Sequence, residues 1–249
     1  MGSILEKLFD KYYGEDPLKL KYEIDYNLVA GEISIEDVIR FFKNYDIERS
    51  NCLFLTLFRP ERFNTSEHVL DEERAEIGSY KFIPNYLGDI IHVMRQILEK
   101  EDVSSFIDVG SGTGNTLFVA KYYFNIERVM GIEINKRLVY ISNLIRYYLG
   151  GEYLKLFAKN AIDFDYSGID FISMYHPFQR VEESVMLYSQ ILKTMDVGSI
   201  LYDYYKFNEV EIAINKLNMR VTTCRDGYFS EYYRYVKKIG KDEIEFIYF

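Results

Sequence analysis

The sequence contains little cysteine, no tryptophan and no long hydrophobic run. Its two cysteines, Cys52 and Cys224, are too few and too far apart to form a zinc site, so we expect no structural metal. No stretch approaches the roughly 18 uninterrupted apolar residues of a membrane-spanning helix, and the first residues lack the basic and apolar regions of a signal peptide. We therefore expect a cytoplasmic protein without a membrane partner.

Charge and composition narrow the class of protein further. Acidic residues outnumber basic ones, 39 to 30, which gives a formal net charge of −9. A long-range attraction to phosphate backbones is not expected, so double-stranded DNA is an unfavourable partner. Hydrophobic residues make up 48% and charged residues 28% of the chain, values typical of a globular protein with a buried core. The 24 tyrosines and 18 phenylalanines suit core packing and flat substrate surfaces alike.

The first third of the chain is predicted to be mostly helical. Ser34 and Asp37 have the spacing of a capping box, which predicts a helix near 35–44. Between 85 and 100, apolar residues recur at the spacing of one helical face, which predicts a second helix. We expect a mainly helical segment over 1–84 that covers the substrate side, followed by a larger domain over 85–249.

From residue 104 onward, short apolar runs alternate with helical stretches, a pattern typical of parallel strands joined by crossover helices. The predicted strands are Ser105–Val109, Arg128–Ile132, Leu154–Phe157, Asp170–Met174 and Ser199–Tyr202, and the predicted helices are Asn115–Phe124, Lys136–Leu149 and Glu182–Met195. Near the end, Tyr228–Ile239 and Glu243–Phe249 flank a short turn and predict an antiparallel hairpin at the sheet edge. The sequence therefore predicts an α/β fold with a mostly parallel sheet of seven strands.

The sharpest local signal is a glycine-rich turn between a predicted strand and a predicted helix. Asp108 ends the strand, and Gly110, Gly112 and Gly114 follow it. Glycines let a backbone approach a ligand closely and adopt positive φ. A dinucleotide-binding turn requires its third glycine at the position of Asn115, and the carboxylate of Asp108 disfavours a pyrophosphate. An amino-acid-bearing nucleoside therefore fits this turn better than NAD.

Two further polar positions follow the next two predicted strands. Glu133 lies 25 residues beyond Asp108, where its carboxylate can accept hydrogen bonds from both ribose hydroxyls of a nucleoside. Asn160, or as a second choice Asp163, follows the third strand and can accept the adenine amino group.

Together these residues resemble the class I (seven-β-strand) S-adenosylmethionine (SAM)-dependent methyltransferases, which have a Rossmann-like fold. Asp108–Gly114 resembles the family's first motif, Gly131–Asn135 the ribose motif, Asn160–Ala161 the adenine motif, and Asp170–Phe178 the catalytic segment. The resemblance implies SAM as cofactor, S-adenosylhomocysteine as product and no metal. It implies that the cofactor contacts Asp108, Gly110, Ser111, Gly112, Gly114, Asn115, Glu133, Ile134, Asn160, Ala161 and Met174.

The catalytic segment departs from that of enzymes that methylate the amino groups of nucleic acid bases. Those enzymes carry an N/D-P-P-Y/F sequence, whereas this chain has Tyr175, His176, Pro177 and Phe178. Pro177 and Phe178 match the pattern and the other two residues do not. We expect Tyr175, His176 and Phe178 to meet the acceptor, with His176 either assisting deprotonation or serving only in packing.

A second resemblance is to the non-SET protein lysine methyltransferases of the class I fold. It is carried by Gly131–Asn135, Lys159–Asn160 and Tyr80–Pro84. An acidic protein with aromatic side chains at its entrance suits a lysine side chain. A protein lysine is therefore the preferred acceptor, while an RNA, a nucleobase, a small molecule, or a SAM-binding scaffold without turnover remain open alternatives.

Overall fold

The computed structural model describes residues 4–12, 32, 87–148, 154–175, 178, 180–204, 207–225 and 234–248. The helix predicted near 35–44 lies outside these residues, and so do His176 and Pro177.

Six α-helices lie in the described ranges. They are α1 (Ile4–Tyr12), α2 (Leu87–Leu98), α3 (Asn115–Phe118), α4 (Lys136–Tyr148), α5 (Val181–Thr194) and α6 (Phe207–Lys216). The helix predicted over Asn115–Phe124 begins as α3 and continues as a π-helical turn, Val119–Tyr123, and a short 3₁₀ turn follows at Ala161–Asp163. Helix α6 was not predicted from the sequence.

Eight strands form one sheet in the order β3-β2-β1-β4-β5-β7-β8-β6. They are β1 (Ser105–Val109), β2 (Arg128–Glu133), β3 (Leu154–Ala158), β4 (Phe171–Met174), β5 (Ile200–Asp203), β6 (Arg220–Arg225), β7 (Arg234–Gly240) and β8 (Glu243–Tyr248). The α/β class and the mostly parallel sheet are confirmed, with one strand more than the seven predicted.

The hairpin of β7 and β8 is confirmed, but its predicted position at the sheet edge is wrong. Strand β7 pairs antiparallel with β5 and with β8, and β8 pairs parallel with β6, which forms the edge instead. Sequence reasoning missed β6 because an edge strand is paired on one side only. Its Val221 is 46% exposed, so the segment carries no buried apolar run to mark it.

The two faces of the sheet hold separate apolar clusters. Phe106, Phe171 and Tyr202 lie on one face with the apolar side of α2, and the rings of Phe106 and Phe171 meet edge to face at 5.1 Å. Ile107 and Ile172 lie on the other face, where helices α5 and α6 cover them. Because β1, β2, β4 and β5 run parallel, their carboxyl ends meet along one edge of the sheet, where ligands of such folds bind.

In the described part of the chain, no helix is long and apolar enough to span a bilayer.

At the amino ends of the parallel strands, the carboxylate of Asp170 connects the beginnings of β1 and β4 by hydrogen bonds. Oδ2 of Asp170 accepts hydrogen bonds from the backbone N–H and the hydroxyl of both Ser104 and Ser105, at 2.8–2.9 Å. Burial alone would raise the pKa of Asp170, but these hydrogen bonds outweigh it and the pKa is lowered. The ionised carboxylate therefore stabilises the fold.

Replacing Asp170 tests this junction. We expect Asp170→Ala to lower the free energy of unfolding by about 1–3 kcal/mol at pH 7, the range for hydrogen bonds to a charged group. Because the folded-state pKa is below the ordinary value of 3.8, the contribution is present at neutral pH and is lost as the pH falls below that value. Urea unfolding at pH 7 and at pH 3 or below measures it, with the exposed Asp102→Ala as control. Equal stability of Asp170→Ala and wild type at pH 7 would contradict the assignment.

Candidate functional site

The glycine-rich turn folds back over the end of β2. Gly110, Gly112 and Gly114 have φ of 76°, 55° and 91°, in the left-handed region that side chains disfavour. The backbone N–H groups of Gly110 and Ser111 both donate to the carbonyl oxygen of Ile132, at 2.8 and 2.9 Å. The turn is thereby fixed against the neighbouring strand, with three positions that carry no side chain.

Gly131 is a further glycine that this packing requires, and it was not among the predicted site residues. A Cβ atom on Gly131 would lie 2.6 Å from Cδ1 of Leu117 and 2.8 Å from Oγ of Ser111. A Cβ atom on Gly114 would lie 2.5 Å from Oγ of Ser142. The turn, β2 and α4 therefore approach one another more closely than side chains would allow.

The carboxylate of Glu133 joins the turn to β2. Glu133 is 2% exposed, and its Oε2 accepts the N–H of Gly112 at 3.0 Å. Its Oε1 accepts the N–H of Asn135 at 2.9 Å, and Oδ1 of Asn135 accepts the N–H of Leu138 at the beginning of α4. One buried side chain thus sets the position of the glycine turn, the end of β2 and the start of the next helix.

Asp108 is a second buried carboxyl group at the same edge. It is 4% exposed, and both Thr116 on α3 and Ser173, its register partner on β4, are buried near it. Burial raises its pKa from 3.8 to about 7, with a smaller increase from the charge of Glu133, while the hydroxyl groups of Thr116 and Ser173 act in the opposite direction. Asp108 therefore changes its charge in the neutral pH range.

Three other predicted cofactor residues lie around the turn. Ser111 is buried, and its Oγ has no hydrogen-bond partner among the described residues. Oδ1 of Asn115 accepts the N–H of Thr116 at 2.9 Å, at the beginning of α3. Ile134 is half-buried and follows β2 directly.

The predicted adenine residues lie after β3. Asn160 precedes the 3₁₀ turn, and its Oδ1 accepts the N–H of Ile162 at 3.1 Å. An amide oxygen has two acceptor sites, so one remains for a ligand. Ala161 is buried and its carbonyl oxygen accepts the hydroxyl of Tyr166 at 2.9 Å, whereas Asp163 is exposed.

The predicted acceptor residues follow β4. Met174 is buried at the end of the strand, and Phe178 is 7% exposed. The ring of Tyr175 is half-buried, with its centre 5.5 Å from that of Tyr204, which follows β5. Tyr204 was not predicted as a site residue, because its closeness to Tyr175 depends on the pairing of β4 with β5.

Sequence reasoning also missed the polar residues that lie beneath this edge. Asp203 is in register with Met174, is 1% exposed and accepts a hydrogen bond from the hydroxyl of Tyr188 on α5. Thr116 and Ser173, the neighbours of Asp108, are likewise buried. The pattern of apolar residues carries no signal for these polar contacts, because each depends on how different elements pack together.

Comparison with known families indicates a class of protein. Residues 75–194 match a family model described as histone methylation protein DOT1. The matched segment is slightly less than half of the chain and contains the glycine turn, Glu133, Asn160 and Tyr175. The match indicates a SAM-dependent methyltransferase, in agreement with the mostly parallel α/β sheet. No curated protein matches the chain.

Several solved structures resemble the chain at low identity. An RNA methyltransferase from Salinibacter ruber, in complex with S-adenosylhomocysteine, is 16% identical with a TM-score of 0.42, over 49% of this chain and 76% of that one. A geranyl diphosphate C-methyltransferase from Streptomyces coelicolor is 17% identical with a TM-score of 0.43, over 68% and 62%. A sugar N-methyltransferase from Streptoalloteichus is 17% identical with a TM-score of 0.40, over 49% of each chain. Likenesses this distant do not indicate a substrate.

The residues of the turn fit the chemistry of SAM. The two oxygens of Glu133 accept the backbone N–H groups of Gly112 and Asn135, and ribose hydroxyls are donors that a carboxylate accepts in the same way. Asp108 supplies a carboxylate suited to a cationic amino acid portion. The three left-handed glycines leave the backbone of the turn open to close approach.

Substituting Glu133 tests its role in holding the turn. In Glu133→Gln an amide NH₂ group replaces one carboxylate oxygen. This group is a donor, so it cannot accept the backbone N–H that the oxygen accepted. We therefore expect the free energy of unfolding to fall by about 1–3 kcal/mol. Urea unfolding measures the change, and Glu127→Gln, an exposed glutamate just before β2, is the matched control. An unchanged stability of Glu133→Gln would show that the carboxylate does not secure the turn.

Proposed function

We propose that this methyltransferase transfers the methyl group of SAM to an amine nitrogen, and that its preferred acceptor is a lysine side chain of a protein. The observation that carries the cofactor part is the buried Glu133, which is bound to the glycine turn at Gly112. The acceptor part is supported by the description of the matching family as a histone methylation protein and by the paired rings of Tyr175 and Tyr204.

In this proposal the cofactor lies along the carboxyl ends of β1, β2 and β3. Asp108 and the turn contact the amino acid portion, Glu133 binds the ribose and Asn160 binds the adenine. The residues proposed to contact the cofactor are Asp108, Gly110, Ser111, Gly112, Gly114, Asn115, Glu133, Ile134, Asn160, Ala161 and Met174.

The acceptor approaches over the ends of β4 and β5. An aromatic face attracts a cationic or alkylammonium group and packs against a lysine stem, which suits the rings of Tyr175 and Tyr204. The net charge of −9 favours a cationic partner over a nucleic acid. His176 and Phe178 stay candidates for contact with the acceptor.

In this reaction the protein aligns the reactants and forms no covalent bond with them. When bound, SAM supplies a methyl group on a positively charged sulfur. The amine must lose a proton before its lone pair attacks the methyl carbon, and Tyr175 or His176 can accept a hydrogen bond from the amine during this step. Most of the rate enhancement then comes from holding the nitrogen, the methyl carbon and the sulfur in line.

We also propose that residues 1–84 cover the acceptor side of the sheet. Leu8 on α1 packs against the apolar cluster of Phe106, Phe171 and Tyr202, on the face of the sheet to which Asp108 belongs.

Identification of the acceptor pool tests the proposal. The purified protein is incubated with methyl-labelled SAM and a cell extract, which is then separated into protein, RNA, DNA and small molecules with protease and nuclease controls. We expect protease-sensitive label, located on lysine by mass spectrometry. Label in RNA or in small molecules would show that the acceptor is not a protein. Cofactor binding without label in any pool would indicate a scaffold without turnover.

A substitution at Tyr175 tests the aromatic contact once a labelled protein or peptide is identified. We expect Tyr175→Ala to lower kcat/KM for that acceptor by about tenfold, with the dissociation constant for S-adenosylhomocysteine unchanged, because in this proposal the ring contacts the acceptor and not the cofactor. The matched control is Tyr140→Ala, which removes a tyrosine on α4 that is 63% exposed. Equal kcat/KM in Tyr175→Ala and wild type would contradict the role of this ring.

A further inference from the structure

A buried hydrogen bond joins the end of β5 to the middle of α5. The hydroxyl of Tyr188 on α5 donates to Oδ2 of Asp203, the last residue of β5. Both side chains are buried, and Tyr188 belongs to the apolar cluster that includes Ile191 and Leu201. An apolar residue in place of Asp203 would avoid the cost of burying a carboxylate. A hydrogen bond is directional, however, so this contact holds the end of the strand in one position.

The same strand end carries Tyr204 on the other face of the sheet. Side chains alternate along a strand, so Asp203 lies on the α5 side, whereas Tyr202 and Tyr204 belong to the apolar cluster of the opposite face. The ring of Tyr204 meets that of Tyr202 edge to face, with the ring centres 4.7 Å apart. A displacement of the backbone at Asp203 therefore moves the ring of Tyr204.

Two contacts connect Tyr204 with the acceptor segment after β4. The N–H of Tyr204 donates to the carbonyl oxygen of Met174 at 3.3 Å, one residue beyond the register pair of Met174 and Asp203. The rings of Tyr175 and Tyr204 are inclined by 49°, with their centres 5.5 Å apart. The arrangement of these two rings thus depends on where β5 ends relative to β4.

We propose that Tyr188 and Asp203 are positioning residues for the acceptor, because their hydrogen bond holds the end of β5 where the ring of Tyr204 meets that of Tyr175. This inference rests on the proposed acceptor site at these two rings. It adds that residues on the opposite face of the sheet, which do not touch the acceptor, control how well the acceptor binds.

Methyl transfer by Tyr188→Phe tests the proposal, because this variant loses one hydroxyl and keeps the ring. The probe is the protein fraction of a dilute cell extract, in which the initial rate of transfer from methyl-labelled SAM is proportional to kcat/KM. We expect this rate to fall about fivefold. The dissociation constant for S-adenosylhomocysteine should stay within about twofold of wild type, because the proposed cofactor residues lie mainly on β1, β2 and β3.

A double-mutant cycle shows whether Tyr188 acts through Tyr204. In the Tyr204→Ala protein the ring is already absent, so adding Tyr188→Phe should lower the rate by less than about twofold. Independent effects multiply instead, and an equal loss in both backgrounds would show that Tyr188 does not act through this ring.

Tyr235→Phe is the matched control for the loss of a tyrosine hydroxyl. Tyr235 is buried, and its hydroxyl donates to the carboxylate of Glu101 at 2.7 Å. Glu101 precedes β1, at the amino ends of the parallel strands, so this variant should keep the wild-type rate. Asp203→Asn is a second test variant. A neutral acceptor weakens the hydrogen bond from Tyr188, so we expect a smaller loss in the same direction. Thermal unfolding establishes that each variant is folded at the assay temperature.

The outcomes distinguish this inference from the proposed function. If wild type labels protein and Tyr188→Phe transfers at the same rate, or loses cofactor binding by the same factor as rate, the positioning role is wrong while the proposed function stands. If wild type labels only RNA or small molecules, the proposed acceptor is wrong, and the same comparison in that pool decides the positioning role. If wild type labels no pool, both are wrong.

Discussion

The hydrogen bond from the N–H of Gly112 to the carboxylate of Glu133 is the contact on which the rest of the site depends. A carboxylate that is 2% exposed is costly to bury, and this cost is offset because backbone N–H groups bind both of its oxygens. The same side chain fixes the glycine turn, the end of β2 and, through Asn135, the start of α4. The conformation of the turn is therefore set by the fold before any ligand arrives.

Much of this arrangement could be predicted from the sequence. Strand β1 has the predicted bounds, Ser105–Val109, because an apolar run ends abruptly at a glycine-rich turn. The spacing of 25 residues between Asp108 and Glu133 corresponds to one strand-helix-strand step, so two carboxylates were expected at the same edge. Strands in the centre of a parallel sheet are buried on both faces, and continuous apolar runs identify them.

The remaining features depend on contacts between distant parts of the chain. The closeness of Ser173 to Asp108 follows from the register of β1 with β4, which no local pattern specifies. Strand β6 pairs with β8, which follows it by about twenty residues, and helix α6 packs against α5. The closeness of Tyr175 to Tyr204 likewise arises from the pairing of β4 with β5. Residues that act through such pairings are the ones that the sequence alone left out.

A crystal structure with S-adenosylhomocysteine is the most direct test of the central claim, that the turn bound by Glu133 is the cofactor site. The account predicts that the ribose hydroxyls lie within hydrogen-bond distance of the carboxylate of Glu133, with the amino acid portion beside Asp108 and the adenine beside Asn160. The hydrogen bond between Gly112 and Glu133 should be retained, because a carboxylate can accept several hydrogen bonds at once. A ligand bound elsewhere, or a displaced glycine turn with Glu133 pointing away from the ribose, would contradict the account.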